Sequence, residues 1–148
     1  MKIFKNKQIL QKEISKDNCL SFIPTMGGLH KGHLSLVKKA KKYKCKICVS
    51  IFVNPNQFNK KNDFENYPRN LKSDIKKLKK LKINYLYLPN YSDIYSYKTK
   101  HKIYLDNFSK QLCGKFRKGH FKGVLNVVNR FLEIIKPKYI FLGLKDFQ

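Results

Sequence analysis

The order of apolar runs along this chain predicts an α/β protein, a parallel sheet covered by helices on both faces. Two observations carry that expectation. Short apolar runs of strand length alternate with stretches whose apolar residues recur at helical spacing. The longer strand-like runs are mostly apolar, each broken by a single Ser or Asn, close to the near-continuous runs of strands buried on both faces. Taken in order, Leu20 to Pro24 predicts a first strand, followed by a Gly-rich turn. A helix is expected from about His33 to Tyr43, with Leu34 and Val37 on one face. Ile47 to Val53 is rich in β-branched residues and reads as a buried strand. Residues 54–68 carry Asn, Pro and Asp as punctuation and read as a loop. Leu71, Ile75 and Leu78 then predict a helix, and Ile83 to Leu88 another strand closed by Pro89. Ile103 to Leu105 predicts a short strand. Phe121, Val124, Leu125, Val128, Phe131, Leu132 and Ile135 outline a long amphipathic helix stopped before Pro137. Tyr139 to Leu142 is the last apolar run. No repeat and no internal linker interrupts this order.

The length of 148 residues suits one domain, and a chain of that size buries roughly 68–70% of its unfolded surface. No run approaches the ~20 apolar residues of a membrane helix. The start, MKIFKNKQIL, lacks the apolar stretch of a signal peptide. A soluble cytoplasmic protein is therefore expected. The formal net charge of +24 invites a nucleic-acid reading. Against it, only Arg69, Arg117 and Arg130 are arginines, and bidentate recognition of phosphate or guanine favours Arg. Lys, Asn, Ile, Phe and Tyr, all with A/T-rich codons, make up over half the chain, and Ala40 is the sole alanine. The lysine excess thus reads as coding bias, which GC-rich synonymous positions would refute. Runs such as KKAKKYK at 38–44 read as solvated helix faces. Cysteines stand at 19, 45, 48 and 113, with one C-x-x-C at Cys45 and Cys48. No second pair completes a zinc set, so ordinary buried or half-buried thiols are expected.

The residues that carry chemistry begin with PTMGGLHKGH, 24–33. A strand ending near Pro24 would run through Gly27 and Gly28, which permit tight turning, into a helix starting near His30 and His33. A helix N-terminus offers unpaired N–H groups and partial positive charge, which suit phosphate. Two imidazoles there can bind phosphate oxygens and stabilise the charge of a departing pyrophosphate. The alternative is a structural turn with two exposed histidines. Two histidines alone are too sparse for a metal site.

This string resembles the His-x-Gly-His signature of the nucleotidylyltransferase and class I aminoacyl-tRNA synthetase superfamily. With SIFVNPNQF (50–58), YPR (67–69), GHFKGV (119–124) and GLKDFQ (143–148) in this order, the whole chain resembles the pantothenate synthetase, or pantoate–β-alanine ligase, family. The resemblance implies a Rossmann-like parallel sheet. It implies that Met26, Gly27, Gly28, Leu29, His30, Lys31, Gly32 and His33 bind ATP, with His33 as catalytic proton donor. Gln57 would contact pantoate and β-alanine, and Gly143, Leu144, Lys145 and Asp146 would contact ATP. In the implied reaction, pantoate carboxylate attacks the α-phosphate of ATP, giving pantoyl adenylate and pyrophosphate. The amine of β-alanine then displaces AMP to give pantothenate. Mg2+ accompanies the ATP, and a homodimer through this domain is the family's usual state.

The residue chemistry is compatible with those roles. The Gln57 amide can both donate and accept, although a surface loop would also suit it. Lys145 offers a point charge for a phosphate oxygen. Asp146 could orient a donor, support magnesium or cap a following helix. His120 could line the pocket or simply begin the long helix.

Two departures from the family pattern stand out. Leu144 replaces the family's usual Glu, and the sequence stops at Gln148, before the family's second ATP-binding segment and its C-terminal domain. Residues 1–148 are thus expected to form the ATP- and pantoate-binding N-terminal domain without the C-terminal one. Little turnover is expected of this chain alone, since closure positions reactants. A decayed gene, a frameshift and a separately encoded C-terminal half all remain open. On the residues alone, so do another nucleotidyltransferase of the superfamily and, from charge only, a basic nucleic-acid-binding module.

Overall fold

The computed structural model describes residues 1–111, 113–117 and 119–144. Its elements run β1 (Lys2–Phe4), α1 (Lys7–Ile14), β2 (Leu20–Thr25), α2 (Lys31–Lys41), β3 (Lys46–Ile51) and a 3-10 turn (Pro55–Gln57). Then follow α3 (Lys61–Glu65), α4 (Leu71–Lys80), β4 (Tyr85–Tyr87), α5 (Tyr91–Tyr95) and a second 3-10 turn (Asn107–Lys110). The last are α6 (Cys113–Phe116), α7 (His120–Ile135) and β5 (Tyr139–Ile140). The strands form one parallel sheet in the order β1-β4-β3-β2-β5.

The α/β expectation holds, because alternate strand residues feed two separate cores. Phe22, Cys48, Tyr85 and Tyr87 face α1, α5 and α7, where they meet Leu10, Ile14, Ile94, Val127, Phe131 and Ile134. Ile23, Ile47, Val49 and Leu86 face α2 and α4, where they meet Val37, Ala40 and Leu78. The lysines of α2 and α4 lie mostly on the solvent side, as the solvated-face reading expects.

Several elements differ from the sequence expectation. β1 and α1 precede the first expected strand, and β2 continues through Pro24 to end on Thr25. β1 buries only Phe4, so three residues gave no readable alternation. The segment Ile103 to Leu105 pairs with no strand, and Tyr104 is 82% exposed. The stretch 54–68 holds a 3-10 turn and α3 instead of plain loop. On α7 the buried face is Gly123, Val127, Phe131, Ile134 and Ile135, while Leu125 and Leu132 stand exposed. A helix with apolar residues on most sides does not announce which side faces the sheet. α7 ends as expected before Pro137: Lys136 takes a left-handed conformation and its N–H bonds Leu132 O at 2.9 Å.

The cysteines also differ. Leu20 pairs with Lys46 in register, so Cys19 and Cys45 face each other across the starts of β2 and β3, with Cα atoms 4.9 Å apart, and form a disulfide. Cys48 belongs to β3 and is buried; burial pushes its thiol well up, so it stays protonated and inert. The C-x-x-C is therefore no functional pair. Reducing oxidised protein is expected to cost about 3 kcal/mol, because the bridge closes a 26-residue separation. Urea unfolding with and without reductant measures this, and Cys19→Ser should match the reduced protein.

Candidate functional site

The polypeptide leaves β2 at the carboxyl edge of the sheet, beside β5 on one side and β3 on the other. Strand order reverses around β2, and in open α/β sheets the crevice outside the carboxyl ends at such a point receives ligands. Phe141 N–H donates to Phe22 O at 2.9 Å, carrying the segment after β5 along β2 toward the same edge.

The turn that follows β2 is built by paired backbone amides. Thr25 Oγ1 donates to Ser50 O at 2.7 Å and accepts from Gly27 N at 3.2 Å. Gly27 and Gly28 take positive φ of 83° and 62°, which L side chains adopt only with strain. A Cβ on Gly27 would also lie 3.1 Å from Ile51 Cγ2. These two conformations aim Gly28 N and Leu29 N at one carboxylate, that of Asp74, at 2.9 and 2.8 Å. Leu29 buries its side chain between α2 and the sheet, and its carbonyl accepts from Lys77 Nζ at 2.6 Å.

His30 is the N-cap of α2, and His33 stands at N3. His30 Nδ1 accepts from Gly32 N at 3.1 Å, and His33 Nδ1 accepts from His30 N at 3.4 Å. The imidazoles thus form a capping box. A ring nitrogen that accepts carries no proton, so each neutral ring holds its proton on Nε2. The ring centroids lie 4.2 Å apart. Lys31 and Gly32 are exposed on the same first turn. The amides of Gly27, Gly28, Leu29, His30 and Gly32 have partners within the protein. The loop amides of Gly28 and Leu29 point inward to Asp74, and the two imidazoles stand at the start of α2.

Opposite lies the turn 54–57. Asn54 is fully buried with its amide saturated. Its Oδ1 accepts from Asn56 N at 3.2 Å and Tyr95 OH at 2.9 Å, and its Nδ2 donates to Gly123 O and Gln57 Oε1, both at 3.2 Å. A backbone donor on one side and a backbone acceptor on the other permit one amide orientation only. That orientation sets the next: Gln57 Oε1 turns to Asn54, and its Nε2 turns to Met26 Sδ at 2.8 Å. Burial pushes the Tyr95 phenol up, so it remains a donor. Of the two sequence alternatives for His120, the structure shows the helix start and adds a contact with the 54–57 turn. It begins α7, and its Nδ1 lies 2.8 Å from Gln57 O, an acceptor, so the proton of that contact is on Nδ1. Asn54→Ala is expected to cost about 3 kcal/mol by orphaning four polar groups, measured as the change in urea-unfolding free energy.

The remaining blocks play different parts. Arg69 of YPR donates to the carbonyls of Phe64, Glu65 and Tyr67 at 2.7–3.1 Å and so closes the end of α3. Gly143 is half-buried and Leu144 is 89% exposed. Lys145 and Asp146 lie outside the described residues. Among the described residues no three His, Cys, Asp or Glu side chains gather as a metal site.

The two turns therefore meet from sequence blocks far apart, and β5 runs beside β2 toward the same edge. The family model described as pantoate-beta-alanine ligase matches residues 2–148. The chain belongs to the pantoate–β-alanine ligase family. A pantothenate synthetase of Thermosipho melanesiensis is 46% identical over 148 residues, covering 99% of this chain and 52% of that protein. One of Thermodesulfovibrio yellowstonii is 43% identical, covering 94% of this chain and 51% of the relative. The crystal structure of the Francisella tularensis pantoate-beta-alanine ligase complexed with beta-gamma ATP and beta-alanine superposes with a TM-score of 0.87 at 40% identity. It covers 95% of this chain and 55% of that one. The chain spans about half the length of the curated relatives it matches. The nucleotidylyltransferase-type fold expected from the sequence is that of these pantothenate synthetases.

Sequence reasoning did not single out three residues that build the candidate site. Asn54 lay inside a quoted block, and its Asn-Pro step was a legible turn signal. Thr25 was counted beyond the strand. Asp74 is one of only 9 acidic residues, and that scarcity was the one available signal. Nothing local linked it to a loop 46 positions earlier.

Proposed function

We propose that this chain is the ATP- and pantoate-binding half of a pantoate–β-alanine ligase. The observation that carries the reading is the 2.8 Å approach of Gln57 Nε2 to Met26 Sδ. It brings the glutamine of the substrate block against the turn of the nucleotide block, so an acid held by one meets a phosphate held by the other. In this reading, residues 26–33 and 143–146 receive ATP, and Gln57 receives pantoate and then β-alanine. Because Asn54 holds Gln57 Oε1, Gln57 offers an amide donor to the acid's oxygens. Pantoate carboxylate oxygen bonds to the α-phosphorus as the bond to the bridging oxygen breaks, releasing pyrophosphate. His33 and His30, with protons on Nε2, stabilise that leaving charge, and His33 supplies its Nε2 proton once its Nδ1 has taken up another from solvent, which leaves a neutral ring. The β-alanine amine then attacks the acyl carbon, AMP leaves, and pantothenate forms.

Mg2+ would come with the triphosphate and neutralise its charge. Both Asp74 oxygens already accept amides, so the ion's protein ligands in this reading lie beyond that carboxylate, and Asp146 is the candidate. A cytoplasmic location, a homodimer and a C-terminal half carried on further polypeptide complete the reading. No helix among the described residues is long and apolar enough to cross a membrane.

The test is pantoate-dependent exchange of labelled pyrophosphate into ATP, with and without an added C-terminal half from a relative. The expected result is little exchange alone and clear exchange when supplemented. Exchange driven by a different acid and not by pantoate would replace this reading with another nucleotidyltransferase.

A further inference from the structure

The turn after β2 binds an anion, and that anion is part of the protein. Positive φ at Gly27 and Gly28 lines up consecutive N–H groups as a backbone nest, the arrangement that elsewhere cradles phosphate. Here Asp74 fills it. Its side chain is 2% exposed, it reaches across from α4, and each oxygen takes one amide. Lys77, one helical turn along, stands 3.8 Å from Asp74 Oδ1 and bonds the carbonyl of Leu29. The pair thus grips residues 28 and 29 from both polarities, immediately before His30 caps α2. Burying a carboxylate is costly, and apolar side chains would fill a purely structural contact between α4 and the turn at lower cost. A carboxylate fits because two converging amides must otherwise stay buried without a partner.

We propose that Asp74, backed by Lys77, is a positioning residue of the nucleotide site. It holds the nest closed, so that the phosphate meets the His30 and His33 imidazoles instead of the loop amides. The inference rests on the ATP reading above. It makes a prediction opposite in sign to simple electrostatics. Removing a negative charge near a triphosphate should strengthen binding if charge alone matters. Removing the latch should weaken it, because Asn offers one acceptor where two amides need partners.

The experiment titrates the 148-residue chain and its variants with ATP by calorimetry, alongside hydrogen exchange at Gly28 and Leu29. Asp74→Asn is expected to weaken ATP binding about tenfold or more and to speed exchange at both amides. Lys77→Met, on a half-exposed side chain, keeps the fold if Asp74→Asn does not, and should weaken binding several-fold. Lys77→Arg, which keeps the charge and the donor to Leu29 O, should restore wild-type binding to within about twofold. ATP bound by Asp74→Asn or Lys77→Met as tightly as by wild type, or more tightly, overturns the inference and leaves the ATP reading intact. A wild-type chain that binds no ATP even with the C-terminal half supplied sinks the functional reading and this inference with it.

Discussion

Gly123→Ala is expected to cost more than about 3 kcal/mol, a fall in melting temperature of roughly 6–12 °C. A Cβ at this position would sit 2.2 Å from Asn56 O and 2.8 Å from Gln57 Cα. These are backbone atoms, so no side chain can swing aside, and α7 must back away from the 54–57 turn. The retreat would carry off Gly123 O, which fixes the Asn54 amide, and His120, which contacts Gln57 O. Loss of ligand binding should therefore accompany the loss of stability. Gly119→Ala is the control. Its Cβ would meet nothing within 4 Å, and only its φ of 80° resists a side chain, a cost of about 1–2 kcal/mol. Calorimetric melting of both variants tests the ranking. Equal effects would mean that helix-start conformation, not the close approach, governs.

His33→Ala is expected to lower pantoate-dependent pyrophosphate exchange, measured with the C-terminal half supplied, by about a hundred- to ten-thousand-fold. Two effects are mixed in that variant. It removes an imidazole from the reacting phosphate, and it also leaves His30 N without its capping partner. His33→Gln separates them, because Gln at N3 completes a capping box and cannot serve as an imidazole acid. Under the proposed mechanism both variants lose exchange alike, while His33→Gln keeps the wild-type melting temperature. Exchange preserved in His33→Gln would reduce His33 to a cap.

The sheet and its helices were legible because burial on two faces leaves a nearly continuous apolar run, as at Ile47 to Ile51, where only Ser50 is polar. The Gly-rich turn was legible because positive φ selects glycine at 27 and 28. Gln57 was legible only through the block around it, since a lone amide in a loop has no local signature. What stayed hidden depends on contacts across the fold. β1 pairs with β4 across more than 80 positions, with Lys2 opposite Tyr85, and three residues cannot advertise such a partner. Of the residues that outline α7 in the sequence, Phe131 and Ile135 are buried while Leu125 and Leu132 are exposed, because periodicity sets spacing and packing sets rotation. Cys19 and Cys45 meet through the register of β2 on β3, which no spacing rule contains.

By itself, the sequence determined the fold class, the family and the two turns of the candidate site. Each of these rests on local chemistry: which residues tolerate burial, which tolerate a left-handed backbone, and which blocks recur in order. Only the tertiary structure decided what those turns do with their polar groups. It directs the loop amides inward to Asp74 and turns Gln57 Nε2 to Met26 while Oε1 is held by Asn54. The physical reason is that a buried donor must find an acceptor wherever the fold supplies one. Here the fold supplies it from a helix more than 40 residues away along the chain.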